Sequence, residues 1–360
     1  MSLLDRLRHR LRKPSAGASR EAPRGRAAAV QPATALEEAP AHPFAPFALA
    51  LGVEIPQAVA PGPDEAEADR ALAAQILEHF RKNRPGPTSF PALSLQILNL
   101  VASAQAEMSE ISRLIGRDPA MSAGVLSVAN SAYYRAVQEI ETVREAVARL
   151  GLEEVGRVAG AVSAKTLFSP RLRAEQAAFG ERFTELFGHA VVVASGAAWL
   201  ALRTSGARSD RAYLGGLLHD VGKSIALRSV ASLVAEGSLP RPDEQRLERA
   251  IDAVHVEVGG LAHQEWNLPQ YLTAMAVRHH DPEVPSDPEF VDLHAVRLAS
   301  GLEDLQGPFA ARAVSEVVQS ARALGADPFL VRSLQAELRE AKKRTAALVG
   351  SPAAPAARKG

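Results

Sequence analysis

The sequence contains no cysteine, and this is the first constraint on its chemistry. Without a thiol, disulfide bonds, thiolate catalysis and cysteine-ligated zinc are excluded. Any metal ion must therefore be bound by histidine, aspartate or glutamate. Lysine plus arginine and aspartate plus glutamate both total 41, so the formal net charge is zero. A balanced chain has no overall attraction to nucleic acid or to an anionic membrane.

Long apolar runs are also missing. The N-terminus has no continuous apolar segment of the kind that a secretory signal carries. The longest apolar stretch, residues 190–202, has about 13 residues, whereas a membrane-spanning helix needs about 20. These absences predict a soluble, cytoplasmic protein.

What the chain does have is a strong helical composition. Hydrophobic residues make up 47% of it and aromatic residues only 5%, with alanine and leucine dominating the apolar set. Both residues lose little conformational freedom in a helix. Apolar residues recur at helical spacing from residue 63 to residue 349, and no alternating strand pattern is visible. The sequence therefore predicts an all-α helical bundle.

Composition divides the chain further. Residues 1–62 are rich in alanine, proline, arginine and glycine without a sustained period, which predicts a disordered arm or linker, and residues 350–360 form a similar tail. Within the arm, residues 1–13 place leucines at helical spacing among basic side chains. This segment is either a weak anchor for a membrane surface or a partner, or a frayed polar tail.

Local signals predict where several helices begin and end. Ser109 is expected to cap a short helix through Ile115, and Asp118 to cap the next helix, with a proline at its first position. Thr142 is expected to open a helix over residues 143–150 that Gly151 closes. A further buried helix is predicted over residues 91–104.

Histidines are the main candidate functional residues. The chain has ten, and seven of them lie between residues 189 and 294. The most specific element is HDVGK, residues 219–223, in which an apolar helix delivers an adjacent His219 and Asp220. Neutral imidazole is a common metal ligand and a carboxylate is its usual partner for hard divalent ions. A single histidine on an apolar face is more often a core residue, so a metal site and a set of core histidines both remain open.

Two stretches of the sequence resemble the HD-related output domain (HDOD) family of bacterial proteins. The first is DPAMSAGVLSVANSAYY at residues 118–134, followed by TVREAV at 142–147 and LGL at 150–152. The second comprises HDVGK at 219–223, HVEVG at 255–259, WNLP at 266–269 and VRHH at 277–280. Together they span roughly residues 80–300.

The resemblance implies a helical domain over residues 63–349. It would consist of an N-terminal subdomain (about 63–170), an HD-like half (about 171–302) and C-terminal helices (about 303–349). The metal ligands of the wider HD superfamily correspond by motif to a set of residues in this chain: His189, His219, Asp220, His255, His279 and His280. The implied cofactor is a divalent metal such as Mn, Fe, Mg or Ni.

Two departures bear on activity. HD hydrolases close their site with a late aspartate in an A-D-R-L-like context, and here AVRL at residues 295–298 puts Val296 at that place. The histidine pair is followed by DPEVP and not by the Gly-Tyr-Pro segment of cyclic-di-GMP phosphodiesterases. Valine cannot bind a metal ion, so both departures disfavour hydrolysis.

The sequence therefore favours a non-catalytic module for bacterial signal transduction on a degenerate HD scaffold. Its expected partners are proteins of a signalling pathway, with a nucleotide as a second candidate and no strong nucleic-acid signal. The alternative is a metal-dependent phosphohydrolase acting on a nucleotide or phosphodiester, in which Asp220 and Lys223 would take part in catalysis.

Overall fold

The computed structural model describes residues 62–84, 107–134 and 139–349, together with the four single residues 93, 96, 97 and 100. All regular structure in these ranges is helical, which confirms the all-α prediction. The predicted arm up to residue 61, with its basic segment 1–13, and the tail 350–360 lie outside the described residues, as does most of the predicted helix 91–104. In chain order, the α-helices of the described ranges are α1 Pro63–Asn83, α2 Met108–Ile115, α3 Pro119–Ala129, α4 Val143–Leu150, α5 Leu152–Phe168, α6 Arg173–Ala201, α7 Ser209–Leu218, α8 Val221–Ala235, α9 Glu244–Glu265, α10 Gln270–Arg278, α11 Val291–Asp304, α12 Ala310–Ala323 and α13 Pro328–Val349.

Side-chain caps set the start of several helices. The Asp118 carboxylate accepts a hydrogen bond from the Met121 amide at 2.8 Å at the start of α3, as expected. Thr142 and Glu145 form a reciprocal capping box at the start of α4. The expected cap at Ser109 is wrong. Helix α2 begins at Met108 with Glu107 as its N-cap, two residues earlier than a Ser109 cap would place it, and the Ser109 hydroxyl donates to the Glu107 side chain at 3.2 Å.

Two apolar clusters form the core, and α6 contributes to both. Phe183 and Phe187 of α6 pack in the first cluster, which runs from α1 to α10. Val193 and Ala197 of the same helix pack in the second cluster with α11, α12 and α13. In the described part of the chain, α6 is the one helix whose length and composition could span a membrane, at a hydropathy of 1.3, and 67% of that window is buried inside the protein. Its burial is that of a central core helix.

Glycines allow the helices around the histidines to approach closely. A Cβ atom on Gly216 of α7 would lie 2.7 Å from the Ala194 Cα atom of α6. A Cβ atom on Gly222 of α8 would lie only 1.9 Å from the main-chain oxygen of His255 in α9. Gly259 faces Gly222 at this second crossing, where the absence of a side chain on both residues allows a close helix contact. These contacts bring α6, α7, α8 and α9 together at Asp220.

Candidate metal centre

Five helical segments deliver the six residues that the sequence singled out. His189 lies within α6, His219 and Asp220 join α7 to α8, and His255 lies within α9. His279 and His280 follow the last residue of α10. The structure brings all six together, in two groups that share Asp220 and whose candidate ligand atoms lie within 4.8 Å of one another. We call this set the histidine cage.

Asp220 lies at the centre of the cage, and each of its oxygens faces a different pair of imidazoles. Its Oδ1 atom lies 3.3 Å from His255 Nε2 and 3.2 Å from His279 Nε2. Its Oδ2 atom lies 3.4 Å from His219 Nε2 and 3.6 Å from His189 Nε2. The carboxylate therefore lies between two histidine groups and offers one oxygen to each.

Main-chain carbonyls fix the tautomer of three cage histidines. His219 Nδ1 lies 2.7 Å from the Gly216 carbonyl oxygen, and His255 Nδ1 lies 2.7 Å from that of Asp252. His279 Nδ1 lies 3.0 Å from the Ala276 carbonyl oxygen. A carbonyl oxygen only accepts, so each Nδ1 atom carries the proton and each Nε2 atom keeps a lone pair directed at Asp220.

The interior of the cage is consequently a set of acceptors. His255 Nε2 and His279 Nε2 lie 3.2 Å apart, and with both Nδ1 atoms protonated neither Nε2 atom can donate to the other or to Asp220. Buried acceptors without donors cost free energy, and a divalent cation among them would remove that cost. The donor set therefore fits a metal ion.

Burial keeps two of the cage imidazoles, those of His219 and His255, in the neutral form that a metal requires. His219, Asp220, His255 and His279 are each only 1% exposed. Burial lowers the pKa of His255 to about 4 and that of His219 well below its usual value. His219 and His255 are therefore neutral at pH 7 and need lose no proton from Nε2 to bind an ion.

The side of the cage nearest solvent carries Lys223. Its Nζ atom lies 2.6 Å from Asp220 Oδ2, and its side chain is 17% exposed. Burial opposes the charged form, but Asp220 and Asp304 outweigh it and raise the pKa of Lys223. The ammonium group therefore stays charged. His189 and Asp304 lie beside it, 18% and 30% exposed, with His189 Nδ1 4.0 Å from Asp304 Oδ1.

Val296 itself takes no part in the cage, but the helix that carries it does. Val296 is fully buried in the second apolar cluster. The α11 side chain that meets the cage is Ser300, one turn later, with its Oγ atom 3.4 Å from His219 Nε2. Asp304 follows one further turn along the same face and supplies a carboxylate beside His189. Helical spacing from Val296 would have indicated both residues, so a carboxylate is present on α11 in spite of the valine.

The other two histidines of the sequence cluster are core residues. His263 stacks on Trp266 with ring centroids 6.0 Å apart. His294 contacts the Ser320 hydroxyl at 3.2 Å and the Pro285 carbonyl oxygen at 3.0 Å. These two histidines are therefore buried core residues that lie outside the two ligand groups of the cage.

Sequence reasoning also missed Glu316 of α12. Its Oε1 atom lies 2.7 Å from His280 Nδ1, and both side chains are buried. Burial raises the pKa of Glu316 to about 7 and lowers that of His280 well below its usual value. No local pattern connects two residues 36 positions apart.

Comparison with known proteins identifies the family of this chain. The family model for the HDOD domain matches residues 88–282, which is more than half of the chain and includes the whole histidine cage. The chain belongs to the HDOD family. It thereby falls within the HD superfamily, as the motifs at residues 118–134 and 219–223 indicated. Ser300, Asp304 and Glu316 lie beyond the matched region.

Solved structures share the fold of this HDOD protein at low sequence identity. An HDOD domain protein of unknown function from Geobacter sulfurreducens is 22% identical, with a TM-score of 0.55 over 77% of this chain and 98% of its own. A Shewanella amazonensis protein, named as a candidate metal-dependent phosphohydrolase, is 21% identical, with a TM-score of 0.53 over 75% of this chain and 99% of its own. At these identities the likeness shows the fold alone.

One curated relative also matches. It is an uncharacterized protein of Treponema pallidum, 24% identical over 208 residues, which are 55% of this chain. The match covers only 38% of that relative's length.

Proposed function

We propose that this HDOD protein is a bacterial signalling module that binds a divalent metal ion in its histidine cage and acts by binding partners, without hydrolysing a substrate. The observation that carries the proposal is the set of lone pairs and carboxylate oxygens converging at Asp220, almost wholly shielded from solvent. A structural metal site is closed by protein ligands, whereas a catalytic site keeps a position open for water or substrate. The burial of His219, His255 and His279 favours the closed type.

The donor chemistry favours particular metals. The cage offers five imidazoles and one carboxylate. Imidazole suits iron, nickel and zinc, while magnesium prefers carboxylate, carbonyl and water oxygens. We therefore expect iron, nickel or zinc in preference to magnesium.

The partner surface that we propose lies on the segment following α3. The Asn130 side chain pairs with the Ile140 main chain in both directions, at 2.7 and 2.9 Å, and so ties the end of α3 to residue 140. Tyr134 is held by a hydrogen bond of 2.6 Å to Glu154. Tyr133, beside it, is 50% exposed although it is a large apolar residue. A rigidly supported, exposed tyrosine is typical of protein interaction surfaces.

Phosphohydrolase activity is the second candidate, and the solvent side of the cage is what favours it. Lys223 carries a charged ammonium group there, next to the partly exposed His189 and Asp304. In this alternative Asp220 and the histidines would hold the metal, which would supply an activated water. Lys223 would then steady the phosphate of a nucleotide or phosphodiester.

One pair of assays separates the two candidates. Metal-loaded protein is mixed with cyclic dinucleotides, nucleotides and a generic phosphodiester, and we expect no turnover. Turnover that disappears in Asp220→Asn, with the fold intact, would overturn the proposal. In the native host, we expect Tyr133→Ala to lose captured partners and signalling output. Leu172→Ala, which alters a residue 58% exposed elsewhere on the surface, should keep both.

A further inference from the structure

Helix α12 contacts the cage from outside the region that matches the HDOD family. It begins at Ala310, whereas the match ends at residue 282. Three of its polar side chains, Arg312, Glu316 and Gln319, are spaced four and three residues apart and so lie on one face. Each of them makes a polar contact that leads to a cage histidine.

The contact of Glu316 is the most direct. Its carboxylate oxygen accepts the Nδ1 proton of His280 across 2.7 Å, in a pair whose side chains are 5% and 9% exposed. The Nε2 atom of His280 then keeps its lone pair, is buried, and has no hydrogen-bond partner among the described residues. It belongs to the cage group of Asp220, His255 and His279. Glu316 therefore selects the tautomer that leaves Nε2 available to an ion.

The other two residues of this face support His255 and His279. Both terminal nitrogens of Arg312 donate to the Asp252 carboxylate, at 2.6 and 2.7 Å, and the Asp252 carbonyl accepts the Nδ1 proton of His255. Gln319 accepts from Arg297 at 3.1 Å.

Arg297 extends this support to the end of α10. It is 1% exposed and donates to the carbonyl oxygen of His279 at 2.9 Å and to that of Asp281 at 2.8 Å. The three residues of α12 therefore reach, directly or through one neighbour, all three histidines of the cage group that contains Asp220, His255, His279 and His280.

We propose that α12 is a metal-tuning element of this protein, and that Glu316 is the positioning residue that makes His280 a metal ligand. The proposal rests on the metal cage proposed above. Carboxylate partners of ligating histidines fix the tautomer and ring orientation and increase ligand basicity, and their loss costs about 10–100-fold in metal affinity. Three cage imidazoles donate the Nδ1 proton to main-chain carbonyls, which no substitution removes, and His189 Nδ1 lies 4.0 Å from Asp304, too far for a hydrogen bond. His280 is therefore the cage histidine whose Nδ1 proton is held by a side chain.

The test measures Zn²⁺ affinity by chelator competition in wild-type, Glu316→Gln and Glu316→Ala proteins. Zn²⁺ is used because it is diamagnetic and suits imidazole ligands. We expect Glu316→Ala to bind about 10–100-fold more weakly and Glu316→Gln to lie in between, since glutamine can accept the proton but carries no charge. The matched control is Glu175→Gln, an equally buried carboxylate that pairs with Arg228 away from the cage. It should bind Zn²⁺ like the wild type.

Two readouts separate positioning from a general loss of structure. If Glu316 acts through His280, adding Glu316→Ala to a His280→Ala protein should cause no further loss of affinity. In the wild type, histidine ¹⁵N spectra with Zn²⁺ should show His280 bound through Nε2 and protonated at Nδ1, a measurement that needs no variant at Glu316.

The outcomes are distinct. Wild-type Zn²⁺ affinity in Glu316→Ala, additive losses in the double variant, or a His280 ring that is free or bound through Nδ1 would overturn the role of Glu316 while leaving the cage intact. A wild-type protein that binds no Zn²⁺ would overturn this proposal and the metal part of the proposed function together.

Discussion

The crossing of α8 and α9 offers a matched pair of substitutions with opposite expected effects. Gly222 and Gly259 face each other there, next to Asp220 and His255. In Gly222→Ala the new methyl group would lie 1.9 Å from the main-chain oxygen of His255 and 2.7 Å from the Gly259 nitrogen. In Gly259→Ala the nearest atom is the Gly222 nitrogen at 3.4 Å, an ordinary van der Waals distance.

The magnitudes follow from these distances. An ordinary carbon–oxygen contact is about 3.3 Å, so Gly222→Ala would force the two helices apart by about 1.4 Å. Overpacking of this kind costs about 1–3 kcal/mol of stability and sometimes more. The clash here is with the main-chain oxygen of His255, which cannot move aside by a change of side-chain rotamer. The higher helix propensity of alanine than of glycine raises the free energy of unfolding by at most about 1 kcal/mol. We expect Gly222→Ala to lower the free energy of unfolding by about 3 kcal/mol, and Gly259→Ala to raise it by up to about 1 kcal/mol.

Urea denaturation followed by far-UV circular dichroism measures both effects, with excess chelator present so that metal binding does not contribute. Because the displacement moves His255 away from Asp220, Gly222→Ala should also lose metal affinity, while Gly259→Ala should keep it. Equal stability of the two variants, or a Gly222→Ala protein as stable as the wild type, would refute the close crossing.

Three further expectations concern residues outside the cage. Asn130→Asp places a carboxylate oxygen against the Ile140 carbonyl in place of the amide donor, and urea denaturation should show a loss of about 2 kcal/mol. Arg228→Met leaves the 4%-exposed Glu175 without its ion-pair partner and the Leu167 and Ser169 carbonyl oxygens without a guanidinium donor, and it should cost about 3–5 kcal/mol, part of which Glu175→Gln in the same chain should restore. Burial lowers the pKa of His263 from 6.5 to about 4, so the unfolded chain binds a proton that the folded chain excludes, and stability falls as the pH falls through that interval. In the metal-free protein, His263→Gln should reduce the stability lost between pH 6.5 and pH 4 by about 3 kcal/mol. A pH dependence of stability equal to that of the wild type would contradict this expectation.

The parts of the fold that the sequence predicted correctly are those with local causes. Capping by Asp118 and by Thr142 depends on residues within one turn, and the structure has both helices where these caps place them. The Ser109 prediction was wrong because the N-cap of α2 is Glu107, two residues earlier. The convergence of the cage could be predicted from the motifs, since they fix the helix that carries each histidine.

The remaining site residues depend on helix rotation and long-range packing. Val296 matched a motif position, but the rotation of α11 turns Val296 into the apolar cluster and Ser300 toward His219. The contact of Glu316 with His280 depends on how α12 packs against α11. Helical spacing from Val296 indicates Ser300 as a neighbour on the same face, but the packing that brings Glu316 to His280 is not encoded along one helix, so Glu316 could only be found in three dimensions.

The most direct test of the metal cage is elemental analysis of protein purified without added metal or chelator. We predict a stoichiometric transition metal ion in the wild-type chain, retained during gel filtration and lost in a folded Asp220→Asn protein. A wild-type chain that is free of metal, and that remains so after incubation with Fe²⁺, Ni²⁺, Mn²⁺ and Zn²⁺, would contradict the account.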